Sequence, residues 1–134
     1  MTKTVTDAAL DAAFAHIADR ADLLTLCAGA PTDYFQAANL PSNGGKMLAS
    51  AALTEGVGGG DFTTAAGDVS GRRLAVVAQS QLVAAEAGTA DHVALVDQND
   101  GTLIVLTELT EPVALTPGKI VALKSFAAEI TAPV

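Results

Sequence analysis

Apolar residues recur at Leu10, Phe14, Ile17 and Ala21, at spacings of four, three and four, and this rhythm predicts a helix over residues 6–22 with one buried face. Thr6 stands where an N-cap would, Asp7 and Asp11 lie near the positive end of the helix dipole, and Arg20 lies near its negative end. The strand at Leu23 follows with almost no linker, so the helix is expected to lay Leu10, Phe14 and Ile17 directly on the sheet that begins there.

Beyond the helix the pattern changes to short apolar runs separated by turn formers. Leu23 to Ala28 reads as a buried strand ended by Gly29 and Pro31, and Lys46 to Leu53 is taken as a second strand. Between them, Pro31 to Gly45 reads as a loop, rich in turn formers and carrying two aromatics, Tyr34 and Phe35, that need a place to bury. The run Gly56-Val57-Gly58-Gly59-Gly60 reads as irregular. Further strands are expected at Arg72 to Gln79, Leu82 to Glu86, His92 to Asp97, Thr102 to Glu108 and Ile120 to Ile130. The sharpest hairpin signal joins Val93–Val96 to Leu103–Leu106 through Asn99-Asp100-Gly101, residue types that tolerate the positive φ of tight turns. The expected fold is therefore mainly β, within the α+β class. An N-terminal helix packs on an antiparallel sandwich or barrel, in a single domain over residues 1–134 with its β-body at about 23–131.

Composition changes this picture in two ways. Half of the 134 residues are apolar, but there is no Trp and only one Tyr, so the core is built from small side chains. Such a core gains less per residue, at about 0.8 kcal/mol per buried methylene, and help from neighbouring subunits is expected. The formal charge of −8, with seven basic residues scattered among fifteen acids, argues against nucleic acid as a partner. Cys27 is alone and excludes an internal disulfide, while Asp7, Asp11 and Asp19 inside the first apolar pattern fit neither a signal peptide nor a membrane span.

Each candidate for chemistry meets a simpler reading. Asp97, Asn99, Asp100 and Glu108 resemble a calcium loop, but its glycine falls one place early and an apolar strand occupies the ligand positions, so a hairpin turn is expected. His16, Cys27 and His92 are too widely spaced for a zinc site. Ser70, His92 and Asp97 lack the nucleophile elbow of a hydrolase triad, and the glycine run lacks the Lys-Ser or Lys-Thr of a phosphate loop. No catalytic residue, cofactor, metal or small-molecule substrate is expected.

Four segments carry a resemblance. They are Gly67-Asp68-Val69-Ser70-Gly71-Arg72-Arg73, Gly88-Thr89-Ala90-Asp91-His92-Val93-Ala94-Leu95-Val96-Asp97, Leu115-Thr116-Pro117-Gly118-Lys119 and Phe126-Ala127-Ala128-Glu129-Ile130. With Asp7 to Phe14, Leu26-Cys27 and Pro31-Thr32, the pattern resembles small virion proteins of tailed bacteriophages and prophages. The resemblance implies a structural protein of the particle, made in the bacterial cytoplasm, most like a head decoration or cement protein. Its partners would be the major capsid protein and neighbouring copies of itself, with no membrane involved. A tail or neck subunit is the alternative, and a carbohydrate-binding module is disfavoured by the few aromatics. The candidate contact residues are Tyr34, Phe35, Asn39, Pro41, Gly58, Asp61, Phe62 and Pro133, on the two loops and the C-terminal tail.

Overall fold

A computed structural model of the chain describes residues 6–67 and 71–130. It is mainly β, with one long N-terminal helix and two antiparallel sheets. The described residues form two compact units.

The first unit contains helix α1 (Asp7–Arg20) and strands β3 (Phe62–Ala66), β4 (Arg72–Val76) and β9 (Phe126–Ile130), in the order β3-β4-β9. Thr6 starts α1 as expected, its hydroxyl accepting from the Ala9 amide at 3.2 Å. The face that buries is Leu10, Phe14 and Ala18, a uniform four-residue spacing, while Ile17 is only half-buried. Alanine thus takes a place that the apolar rhythm assigns to the larger Ile17, because the helix turns toward its sheet by the i, i+4, i+8 row. The sheet that α1 covers is β3 and β4, much later in the chain. Its link to β1 is short because the two elements are consecutive; that shortness does not select the packing partner. On the covered face of β4, Leu74 and Val76 are buried, and Arg72 closes the edge with its Nε 2.8 Å from Asp11 Oδ1 of α1. The Asp11 carboxylate raises the guanidinium pKa further.

Two strand expectations need correction in this unit. Residues 62–66 form β3, which carries no long apolar run; its threonines favour a strand, and pairing with β4 from Phe62↔Val76 to Ala66↔Arg72 outweighs the weak propensity of its alanines. The stretch Ile120 to Ile130 is two strands in different sheets, since the chain breaks at Lys124 and Ser125 between β8 and β9.

The second unit holds β1 (Leu23–Cys27), α2 (Tyr34–Ala38), β2 (Met47–Ala52), β5 (Gln79–Ala84), β6 (Gly88–Asp97), β7 (Thr102–Leu115) and β8 (Ile120–Leu123). Its strands form one antiparallel sheet in the order β7-β6-β1-β2-β5-β8. Arg72 to Gln79 is not one strand: β4 stops at Val76, Val77 and Ala78 carry the chain across, and Gln79 opens β5 in the other sheet. One face of the six-stranded sheet buries Leu24, Leu26, Ala49, Leu82, Ala84, Val93 and Leu95. The predicted hairpin joins β6 and β7, with Asp97 opposite Thr102 and Gly101 at a φ of 66°.

Candidate functional site

The segment from Pro31 to Gly45, expected as a loop, contains a helix and a 3-10 turn (Pro41–Asn43). Asp33 caps α2 through Oδ1 to the Gln36 amide at 2.9 Å, and Gln36 Oε1 reaches back to the Thr32 amide at 2.9 Å. This reciprocal closure resembles a capping box, and Asp33-x-x-Gln36 was the signal that could have revealed the helix. α2 lies across β1, β2, β6 and β7. Ala37 packs with Cys27, Ala94 and Val96, and Tyr34, Leu23 and Leu103 surround that cluster. Tyr34 is thus partly buried against its own sheet. Phe35, on the opposite side of the short helix, remains 51% exposed.

The other expected contact residues are dispersed. Asn39 is half-buried and donates from Nδ2 to the Phe35 carbonyl at 2.9 Å, finishing α2. Pro41 is exposed and opens the 3-10 turn. In the first unit, Gly58 is exposed at a φ of 84°, a conformation that suits glycine. Asp61 is half-buried, with Oδ2 accepting from the Thr54 amide at 2.6 Å and its carbonyl accepting from the Val77 amide at 2.9 Å. Phe62 is fully buried and presents no side-chain surface, because as the first residue of β3 it points to the covered side of the sheet. Pro133 and Ser70 lie outside the described residues.

In the hairpin that resembled a calcium loop, the Asp97 carboxylate is held by backbone amides of the turn. Asp97 Oδ1 accepts from the Asn99 amide at 2.9 Å and the Asp100 amide at 3.3 Å, and Asp22 accepts from the Gln98 amide at 3.0 Å. Glu108 is on β7, opposite His92. Among the described residues, no group of three His, Cys, Asp or Glu side chains is arranged to hold a metal ion. No helix among them is long and apolar enough to cross a membrane.

One polar arrangement escaped the sequence reading. Asp91 Oδ1 accepts from the Gly29 amide at 2.7 Å and lies 2.8 Å from His92 Nδ1. The contact with His92 and the Gly29 amide hold the Asp91 carboxyl below its ordinary pKa. Asp91 falls where the β6–β7 register slips, between Ala90↔Val113 and His92↔Glu108, so a bulge turns it toward β1. Cys27 is directly opposite His92, and a thiol, an imidazole and a carboxylate thus come close in the fold. They do not form a nucleophilic triad: Cys27 is fully buried, its sulfur lies 3.5 Å from Thr25 Oγ1 and 4.0 Å from the Ala37 carbonyl, and burial raises its pKa. A buried, protonated thiol is an inert core side chain.

Large apolar side chains are among those that the second unit displays. Val83 and Ile120 are directly paired across β5 and β8, 52% and 64% exposed, and Leu106 on β7 is 39% exposed. Comparison with known proteins gives no match among protein-family models, curated proteins or solved structures.

Proposed function

We propose that this chain is a non-enzymatic structural subunit of a tailed-phage particle, placed on the head as a decoration protein that binds the outer capsid between capsomers. The observation that carries a binding role is the display of large apolar side chains on an ordered β-body: Phe35 on α2, and Val83 with Ile120 on β5 and β8. Single exposed apolar residues are ordinary, but a directly paired exposed valine and isoleucine on a sheet face are what a subunit contact would cover. The acidic surface, with a net charge of −8, complements a basic partner and keeps many copies soluble before assembly. The identity of the particle comes from the resemblance of the turn-and-strand segments at residues 67–73, 88–97, 115–119 and 126–130. The partners are then the major capsid protein and neighbouring copies of the chain.

The test is stoichiometry. Quantitative mass spectrometry of purified particles should give this chain and the major capsid protein in a ratio near one or one-third. A handful of copies per particle would move it to the neck or tail, and its absence from particles would remove the proposal altogether.

A further inference from the structure

A single row of directly paired residues crosses the six-stranded sheet from edge to edge: Leu106, Ala94, Thr25, Ser50, Val83 and Ile120. Directly paired residues project from one face of a sheet. The inner Ala94 and Thr25 are fully buried, whereas exposure rises toward the edges, to 39% at Leu106 and 64% at Ile120. Among the described residues, β7 and β8 each pair on one side only. Their outer backbone donors and acceptors can therefore accept another strand.

The direction of the strands favours one way of doing so. Each neighbouring pair is antiparallel, so across six strands β7 and β8 run in opposite directions. A second copy set beside the first in the same orientation brings its β7 antiparallel to β8 and keeps the same face on the same side. We infer that copies of this chain associate head to tail, β8 of one adding to Leu103–Leu106 of β7 in the next, with Ile120 beside Leu106.

With Ile120 beside Leu106, the four residues of β8 fall opposite Leu103–Leu106, a stretch of β7 that pairs with β6 through one register slip at Ile104. Further along, residues 109–112 bulge opposite Asp91 and end in Pro112, which has no amide hydrogen to donate. Aligning Ile120 with Leu106 also places Val121 opposite Val105 on the other face. Charge selects β8 over a second β7. β7 carries Glu108 and Glu111 and no basic residue, whereas Lys119 precedes β8, which has no acidic one. In this register Lys119 falls opposite Thr107, one position from Glu108; its ammonium already donates to the Ala114 carbonyl at 2.9 Å and has further hydrogens to offer. Pairing β7 with β7 would gather the glutamates of both copies instead. An interface that uses two different surfaces of the chain closes into a ring or continues as a filament.

This surface is argued from the sheet alone and stands apart from the particle reading: stoichiometry in particles tests that reading, and association of the purified full chain tests this one. Sedimentation velocity over a concentration series should show species larger than dimers. Ile120→Asp and Leu106→Asp should each abolish them, and an equimolar mixture of the two variants should form dimers and stop there, since one supplies an intact β8 and the other an intact β7. Glu108→Lys, at an exposed position, is the second β7-side variant should Leu106→Asp fail to fold, and it should shift association to higher concentration. A wild-type chain that stays monomeric at about 1 mM would overturn the inference. So would dimers that survive Ile120→Asp, which would mean β7 on β7, or variants on both edges that associate like wild type.

Discussion

The two units bury their sheets by different means. In the first, a 14-residue helix lies on a three-stranded sheet, the large side chains Phe14 and Phe62 are fully buried, and Arg72 ties sheet to helix through Asp11. In the second, a five-residue helix lies on a six-stranded sheet and covers β1, β2, β6 and β7, leaving Val83 and Ile120 exposed. The core beneath that short helix is made of Ala37, Ala94, Val96 and Cys27, small groups that let it sit close to the strands. A helix spans about 1.5 Å per residue, so five residues reach roughly 7 Å, whereas six strands spaced about 4.8 Å apart need over three times that length. The uncovered end of the larger sheet follows from that mismatch of dimensions. The first unit is closed by its own helix; the second is left open at the surface we assign to a neighbour.

The largest expected effect tests the closed side. Phe14→Ala should cost about 3–5 kcal/mol in chemical denaturation, because a fully buried ring leaves a cavity. Ile120→Ala, at an exposed edge, should stay within about 0.5 kcal/mol at concentrations where the chain is monomeric. Equal losses for the two would erase the contrast between a closed and an open unit.

A smaller loss is expected where the 3-10 turn meets β2. A Cβ at Gly45 would overlap the Asn39 carbonyl, the same carbonyl that accepts from the Met47 amide at 2.9 Å. Gly45→Ala should destabilise by roughly 1–3 kcal/mol through this crowding. It should also raise hydrogen exchange across residues 34–47 more than elsewhere. Exchange unchanged in that segment would show that α2 is held independently of Gly45.

The smallest effect is a pH dependence in the second unit. The folded pKa of Asp91 is depressed by His92 and the Gly29 amide, so the unfolded chain binds its proton more readily. The stabilisation is present above the unfolded value of about 3.9 and is lost as pH falls through the lower folded value. Asp91→Asn should flatten this part of the Tm–pH curve below about pH 4. An identical acid limb in the variant would detach Asp91 from the acid response.

Much of the fold is legible where local signals agree. Thr6, the spacing from Leu10 to Phe14, and Asn99-Asp100-Gly101 each specify backbone geometry through near neighbours, and α1 and the β6–β7 hairpin follow. β1 and β2 are recovered from their apolar runs nearly to the residue. The failures occur where a strand depends on a distant partner. β3 offers threonine and alanine, and only β4 makes it a strand. The break between β8 and β9 is invisible along Ile120–Ile130, because both halves are apolar enough for either sheet. α2 is the exception, a local signal present in Asp33 and Gln36 but hidden among turn formers.

The sequence by itself determined the class: a helix period followed by short strands with glycine and proline punctuation cannot be satisfied by an all-helical or doubly wound parallel fold. It also determined the acidic charge and the small-residue core, which are sums over residues and need no coordinates. Tertiary structure alone decided that α1 covers β3 and β4, that Tyr34 and Phe62 turn inward while Ile120 and Phe35 stay outside, and that Leu106 and Ile120 end one row. The reason is that register is a long-range quantity. Shifting a strand by one residue exchanges its two faces without altering the sequence, so what each side chain meets is settled only when the strands pair.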